Sequence, residues 1–559
     1  MAEPRIGVFV CHCGRNIGGY VDVPGLVAYA RGLPDVVHTE DNLYTCSQDG
    51  ISSIKKQIIE MNLNRVVVAA CSPTTHEPLF RAACEEAGIN KYLFEFVNIR
   101  DQCSWVHMDT PETATAKAAT LIRMGVQRAR LLEPLAEIEI KVTPSCLVIG
   151  GGIAGMSAAL NLANQGFSVH LVEREAHLGG MIPNLNRLFT DNRDAGELIN
   201  TVINDVSNHA RIAAHLKTKV EEVAGFIGNF TVTIDGSGAD NKIDVGTIIV
   251  ATGAEEFKPT GQYGYGKMSG VLTQLELEEQ MKQGIFKGQN IVIVNCVGAR
   301  VPERPYCSRF CCLTAIKNAV LIKENNPPAN VWLLHRDIMA FGTEFEDCYR
   351  RAMAAGVRFV RYNLERSPQV VGKGKVKAVK IYHELRRREL VLPADTVVLT
   401  TPLVPNRDNE ALSRLLKVPL GEHGFFLEAH LKLQPVEFAT EGIYLCGCAK
   451  WPVEIPEAIS QACASAAKAA IPMRRGYIRP EAITASVNQV ICSGCGTCVT
   501  VCPYGAMELS SEGSRKVAGN ITALCKGCGT CAAACPAGVI TMNHCKDEQI
   551  VAQIEALAE

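Results

Sequence analysis

Residues 295–317 read NCVGARVPERPYCSRFCCLTAIK. They hold four cysteines, Cys296, Cys307, Cys311 and Cys312, behind the strand-like run Ile291-Val292-Ile293-Val294. In a doubly wound α/β domain such a strand should open into a glycine-rich turn whose backbone cradles a dinucleotide pyrophosphate. The turn here, Asn295-Cys296-Val297-Gly298-Ala299-Arg300, has one glycine where three are wanted. Four thiolates instead suit an iron–sulfur cluster. Four buried core cysteines are the alternative, but thiols this dense recur elsewhere in the chain. The last pair opens a predicted helix, on which Lys317 lies one to two turns further along.

The 24 cysteines among 559 residues exceed what an ordinary cytosolic enzyme carries. In a chain this large whose first residues, Met1-Ala2-Glu3-Pro4-Arg5, lack the apolar core of a signal peptide, they read as metal ligands rather than disulfides. Length predicts about three to four domains. With 47% hydrophobic residues the chain can bury large cores. A net charge of −2 and a pI near 6.7 lack the basic footprint of a nucleic-acid binder. No apolar run reaches membrane-spanning length, so a cytoplasmic location is expected.

Residues 1–135 read as a small α/β domain with strands at Ile6–Val10, Arg65–Ala70 and Tyr92–Val97 and helices between them, such as Ile51–Met61 and Pro78–Ala87. Cys11 and Cys13 follow the first strand, Cys71 the second and Cys103 the third, with Cys46 in a loop between. In a parallel sheet the carboxyl ends share one edge, where such thiols converge. The expected ligands of an N-terminal cluster are Cys11, Cys13, Cys46 and Cys71, with Cys103 in reserve; scattered structural cysteines are the alternative.

A second pattern begins after Pro134 and Pro144. Cys146–Ile149 is a buried strand, Gly150, Gly152 and Gly155 fit G-x-G-x-x-G around Ala154, and Val169–Val172 is a second strand ending at Glu173. Strand, glycines, helix, strand and acid in register form a dinucleotide fingerprint, with Glu173 placed for an adenosine ribose. FAD is favoured over NAD by a second glycine turn, Gly179-Gly180-Met181, behind Arg174, by a strand ending in Ala251-Thr252-Gly253, and by the late segment Gly442–Gly447. Val220 and Ile455 complete the expected cofactor contacts. Where such flavoproteins have Gly-Asp for the ribityl chain, this chain has Gly447-Cys448, so a charge-assisted hydrogen bond is missing or replaced. The helix after it, Pro456–Ala470, can point its positive end at the flavin pyrimidine; plain packing of its alanines suits it equally. The FAD domain is thus expected at 143–256 and 400–478, with an NAD-type domain at 288–399 in which a cluster has taken the nicotinamide site's place beside the flavin.

In residues 485–545, Cys492-x-x-Cys495-x-x-Cys498-x-x-x-Cys502-Pro503 recurs 33 positions later as Cys525-x-x-Cys528-x-x-Cys531-x-x-x-Cys535-Pro536. This is the two-cluster ferredoxin repeat, in which the fourth cysteine of one run ligates the other cluster. One cluster should take Cys492, Cys495, Cys498 and Cys535, the other Cys525, Cys528, Cys531 and Cys502. Zinc also binds four thiolates, but eight at this spacing suit two cubanes. Residues 546–559 read as a short amphipathic helix that either packs on the domain or docks a partner.

Along nearly its whole length the chain resembles the heterodisulfide reductase HdrA family, the iron–sulfur flavoproteins of that enzyme, and its relatives. The matching signatures are Cys11-His12-Cys13-Gly14, Ala70-Cys71-Ser72-Pro73, the FAD glycines, Tyr306-Cys307-Ser308-Arg309-Phe310-Cys311-Cys312 and the terminal ferredoxin repeat. The ferredoxin domain that some members insert after the Ala-Thr-Gly strand is missing, leaving at most four [4Fe–4S] clusters. The resemblance implies a two-dinucleotide-binding, thioredoxin-reductase-like α/β flavoprotein core, flanked by an N-terminal α/β domain and a C-terminal α+β two-cluster ferredoxin domain. It also implies an oxidoreductase in which FAD can bifurcate electrons between a high-potential acceptor and ferredoxin. Implied partners are the HdrB- and HdrC-like components of such a complex, ferredoxin, and a hydrogenase-, formate dehydrogenase- or NADH-linked input module. The resemblance favours Lys317 as a catalytic cation near flavin N5; a solvated lysine at the helix surface is the alternative. Rival functions are a non-bifurcating FAD/iron–sulfur relay, as in quinone-interacting or benzoyl-CoA-reductase-type assemblies, and a self-contained NAD(P)H:acceptor oxidoreductase, which the missing second glycine fingerprint disfavours.

Overall fold

A computed structural model describes residues 3–235, 241–513 and 515–559. The chain forms two compact units, Met1–Glu139 with Arg479–Glu559, and Ile140–Ile478.

The first unit opens with β1 (Ile6–Cys11), α1 (Val23–Arg31), β2 (Val36–Asn42), α2 (Gln48–Glu60), β3 (Arg65–Ala70), α3 (Pro73–Glu86), β4 (Phe94–Asn98) and α4 (Pro111–Arg130). The strands form a parallel sheet in the order β2-β1-β3-β4. β1 and β3 are central and buried throughout, so they read as unbroken apolar runs. β2 was not anticipated because it is an edge strand, half-exposed, with the polar run His-Thr-Glu-Asp-Asn. It gives Cys46 a strand of its own to follow, so the sheet delivers cysteines at the end of all four strands.

The ferredoxin segment pairs Ala485–Val487 with Ile540–Met542 and Met507–Glu512 with Arg515–Asn520, and carries the short helices Thr497–Val501 and Thr530–Ala533. The terminal helix Asp547–Ala558 packs along α4. Gln549 Nε2 donates to the Leu131 carbonyl at 2.9 Å, Arg123 Nε to the Ala556 carbonyl at 2.8 Å, and Lys546 pairs with Glu133 at 2.6 Å. Of the two roles open to the tail, packing on its own unit is the one observed.

The second unit repeats one architecture. Five parallel strands run in the order Ile443–Leu445, Thr247–Val250, Ser145–Ile149, Ser168–Glu173, Ile212–Leu216, and five more in the order Val271–Thr273, Thr396–Leu399, Asn290–Val294, Asn330–His335, Arg358–Arg361. Beside each lies a three-stranded antiparallel sheet, Val220–Phe226 with Asn229–Ile234 and Lys242–Val245, and Gln369–Lys373 with Lys375–His383 and Arg388–Pro393. Helices Ile153–Asn164 and Ile455–Arg475 pack closely because alanines, among them Ala158, Ala159, Ala462 and Ala466, face each other in one core. Two such α/β lobes in one unit are the two-dinucleotide core.

Candidate functional site

The first lobe builds a phosphate cradle. Gly150 takes a φ of +111° and Gly152 caps the helix Ile153–Asn164, leaving that helix's first N–H groups free to face an anion. A Cβ on Gly155 would sit 1.9 Å from the Gly150 carbonyl oxygen, and one on Gly150 2.4 Å from that of Ala251, so the turn can close only with glycine. The second glycine turn lies against the first: the Gly179 N–H donates to the Gly151 carbonyl at 2.8 Å, and a Cβ on Gly180 would come within 3.1 Å of the Gly152 Cα. Glu173 ends its strand buried, accepting from the N–H of Gly151 at 2.6 Å and of Glu175 at 2.8 Å. Arg174 is held by Asp408 at 2.8 Å, Asn406 at 3.0 Å and Glu255 at 3.3 Å. Met181, Thr252, Gly253 and Ile455 are half-buried around these turns, and Val220 opens the adjoining antiparallel sheet.

In the late segment, Gly447 is left-handed and its N–H donates to Gln461 Oε1 at 3.0 Å. Burial pushes the Cys448 thiol up to about 11, and its sulfur lies 3.4 Å from the Val453 carbonyl. It is a neutral group at the position where such flavoproteins carry a carboxylate. The following helix carries Glu454 at its N-cap and Glu457 in its first turn, acids that offset the positive helix end. Glu457 pairs with Arg309 at 2.8 Å, and the Tyr306 ring packs tilted against Trp451 with ring centroids 5.3 Å apart. The cysteine stretch is thereby tied to the flavin segment.

The second lobe has no such cradle. Cys296, Gly298, Arg300 and Arg309 all take left-handed φ. For three non-glycine residues this costs about 1–3 kcal/mol each. Cys296, Cys307, Cys311 and Cys312 lie close together: the first, second and fourth raise the proton affinity of Cys311, Cys296 and Cys307 that of Cys312, and Cys307 that of Cys296. Burial and that mutual repulsion push Cys312 up to about 12 and Cys311 higher still. Four thiolates can therefore coexist here only with compensating positive charge, which cluster irons supply. Arg300 and Arg336 offset part of the repulsion, and the Arg309 N–H donates to Cys307 Sγ at 3.3 Å. The donor set fits a cubane cluster.

Lys317 lies on the helix Cys311–Asn325 and is 6% exposed, so the solvated-lysine alternative is corrected. Its ammonium pairs with Glu278, itself 1% exposed, and donates to the Arg187 carbonyl at 2.8 Å. Burial lowers its proton affinity, with Glu278 opposing. Glu278 Oε2 also accepts the Asn186 N–H at 2.9 Å. The pair thus reaches the loop behind the second glycine turn. Sequence reading missed Glu278 because it sits among Glu276 and Glu279 in a short capped helix, Gln274–Lys282, and looks like one more surface acid.

In the first unit the structure brings Cys11, Cys13, Cys46 and Cys71 together, coupled through their charges, with the Arg100 guanidinium facing Cys13 and Cys71. Cys103 is fully buried beside Lys117 and shares none of this coupling. In the ferredoxin segment one small cavity is lined by Cys492, Cys495, Cys498 and Cys535, and a second by Cys502, Cys525, Cys528 and Cys531. N–H groups of Ala518 and Ala506 face Cys492 and Cys502 sulfurs at 3.5 and 3.3 Å. Among the described residues no three or more His, Cys, Asp or Glu side chains are arranged to hold a single metal ion.

A paired α/β core with a flavin-type cradle, joined to a dicluster ferredoxin segment, defines an iron–sulfur flavoprotein oxidoreductase. The family model for pyridine nucleotide-disulphide oxidoreductases matches residues 144–463, and that for the 4Fe-4S dicluster domain matches 491–539. The chain is 40% identical to the A-type component of the H(2):CoB-CoM heterodisulfide,ferredoxin reductase of Methanothermobacter thermautotrophicus, covering 100% of this chain and 98% of that one. It is 36% identical to the A-type iron-sulfur component of the CoB–CoM heterodisulfide reductase of Methanocaldococcus jannaschii, over 100% and 99%. A solved thioredoxin reductase from Lactococcus lactis is 18% identical, covering 60% of this chain and 100% of that one at a TM-score of 0.44. The chain belongs to the heterodisulfide reductase HdrA family. It is an FAD- and [4Fe–4S]-containing electron-transfer component that works with other subunits. Among the described residues no helix is long and apolar enough to cross a membrane.

Proposed function

We propose that the chain carries out flavin-based electron bifurcation, or its reverse, between partner subunits and ferredoxin, using one FAD and four [4Fe–4S] clusters. Bound FAD exchanges electrons in pairs, and each cluster passes one at a time. The observation that carries this reading is the cysteine set at Cys296–Cys312, tied to the flavin segment through Arg309 and Glu457 where a nicotinamide cradle would otherwise lie. The four ligand sets are Cys296, Cys307, Cys311 and Cys312; Cys11, Cys13, Cys46 and Cys71; and the two crossed sets of the ferredoxin repeat. Lys317, oriented by Glu278, supplies a fixed cation toward the reduced flavin ring. HdrB- and HdrC-like components and a hydrogenase-, formate dehydrogenase- or NADH-linked module are the proposed partners, and the cytoplasm the proposed location.

An anaerobic redox titration of the bound flavin tests this. Bifurcation predicts inverted one-electron steps, the second electron entering at a higher potential than the first. Well-separated steps in the ordinary order would leave the family's simpler role, a relay that converts pair to single transfers.

A further inference from the structure

Asn295 is 1% exposed, yet neither atom of its side-chain amide has a hydrogen-bond partner. Its main chain is fully used: the N–H donates to the Leu334 carbonyl at 2.9 Å, and its own carbonyl accepts the Tyr362 hydroxyl at 2.6 Å. Buried amides are nearly always bonded, and an exception needs a cause. Along the strand Asn290–Val294, Ile291 and Ile293 face the core that holds Ala315 and Ile316 of the helix Cys311–Asn325, and Val292 and Val294 face the other. Alternation puts Asn295 on the first face. Of the polar groups there, Gln274 Nε2 donates to Thr400 Oγ1 at 2.9 Å, Asn318 Nδ2 donates to Gln274 Oε1 at 2.8 Å and Lys317 pairs with Glu278, while Asn318 Oδ1, like the Asn295 amide, is left without a partner. The Asn295 amide N–H is thus without a protein acceptor, one residue before Cys296 and on the strand face covered by the helix that Cys311 and Cys312 open.

We propose that the Asn295 side-chain N–H donates a hydrogen bond to a sulfur of the cluster held by Cys296, Cys307, Cys311 and Cys312, and so raises that cluster's reduction potential. Adding an electron increases the negative charge on the sulfurs, so a fixed donor stabilises the reduced form more than the oxidised form. Asn295 is a positioning and tuning residue, and this role rests on the cluster reading above.

The test uses the anaerobically purified full chain with asparagine labelled with 15N at the side-chain nitrogen. The cluster's signal in the reduced protein is first assigned by its loss in Cys307→Ala. If that variant loses neither iron nor a signal, the cluster reading itself fails. If it loses both, pulsed electron paramagnetic resonance of the wild type should show an asparagine 15N coupling, and Asn295→Leu should abolish it. The Leu variant should keep wild-type iron and FAD while the cluster potential moves more negative. A merely misfitting amide predicts the opposite pattern, a raised Tm with the potential unmoved, and that result overturns the proposal. Should Asn295→Leu not fold, the wild-type spectrum decides alone, and no 15N coupling there means no such bond.

Discussion

At the residue scale, Lys317 and Glu278 set the terms. Both are buried, so removing one partner leaves an uncompensated charge. Lys317→Ala should therefore cost about 3–5 kcal/mol of stability and move the flavin potential more negative. The double variant Lys317→Met/Glu278→Leu removes both charges, so it should recover most of the stability but not the potential. Denaturation midpoints and flavin titrations of the two proteins check this; a potential restored together with stability would reduce the pair to packing. Lys317→Arg should restore the flavin potential only in part, because a planar guanidinium cannot occupy the ammonium's position. Lys317 stood out in the sequence only by its distance from Cys312 and by family resemblance. Its partner did not, because a buried glutamate is invisible until the helices that enclose it are placed.

At the scale of elements, one buried histidine lies among the contacts that fasten the ferredoxin segment to α4. His544 is buried, its Nδ1 lying 3.1 Å from Arg128 Nη2 and its Nε2 2.8 Å from the Tyr92 carbonyl. Burial and then the Arg128 charge depress its pKa to about 4 from 6.5. The unfolded state thus binds a proton that the folded state refuses. The stability from this contact is fully present above about pH 6.5 and is lost as pH falls towards 4, amounting to about 3 kcal/mol. Amide exchange in α4 and the helix Asp547–Ala558 should accelerate over that window, and His544→Gln should flatten the response. Equal acceleration in the variant would assign the effect to another group. None of this fastening was legible beforehand. The cysteine spacing specified each ferredoxin run, but docking depends on side chains, Arg128 and His544, 416 positions apart. Sheet edges were also obscure: β2 hid because a polar edge strand has the composition of a loop, whereas β1 and β3 were plain because both faces are buried.

For the whole molecule, the two-lobed core was readable because a glycine fingerprint is a steric requirement, and the second lobe because its strands persist where its glycines do not. What the sequence could not resolve is which thiols converge; parallel topology brought Cys46 beside Cys11, and left Cys103 apart. The missing cradle predicts that the isolated chain does not bleach its flavin with NADH or NADPH; stoichiometric bleaching without a partner, followed by stopped-flow absorbance, would restore a nicotinamide site. The most direct measurement is iron and acid-labile sulfide per FAD in anaerobically purified Cys307→Ala against wild type. A cluster in the second lobe predicts a fall from about sixteen irons to about twelve with FAD retained. An unchanged iron count would mean that Cys296, Cys307, Cys311 and Cys312 hold no cluster.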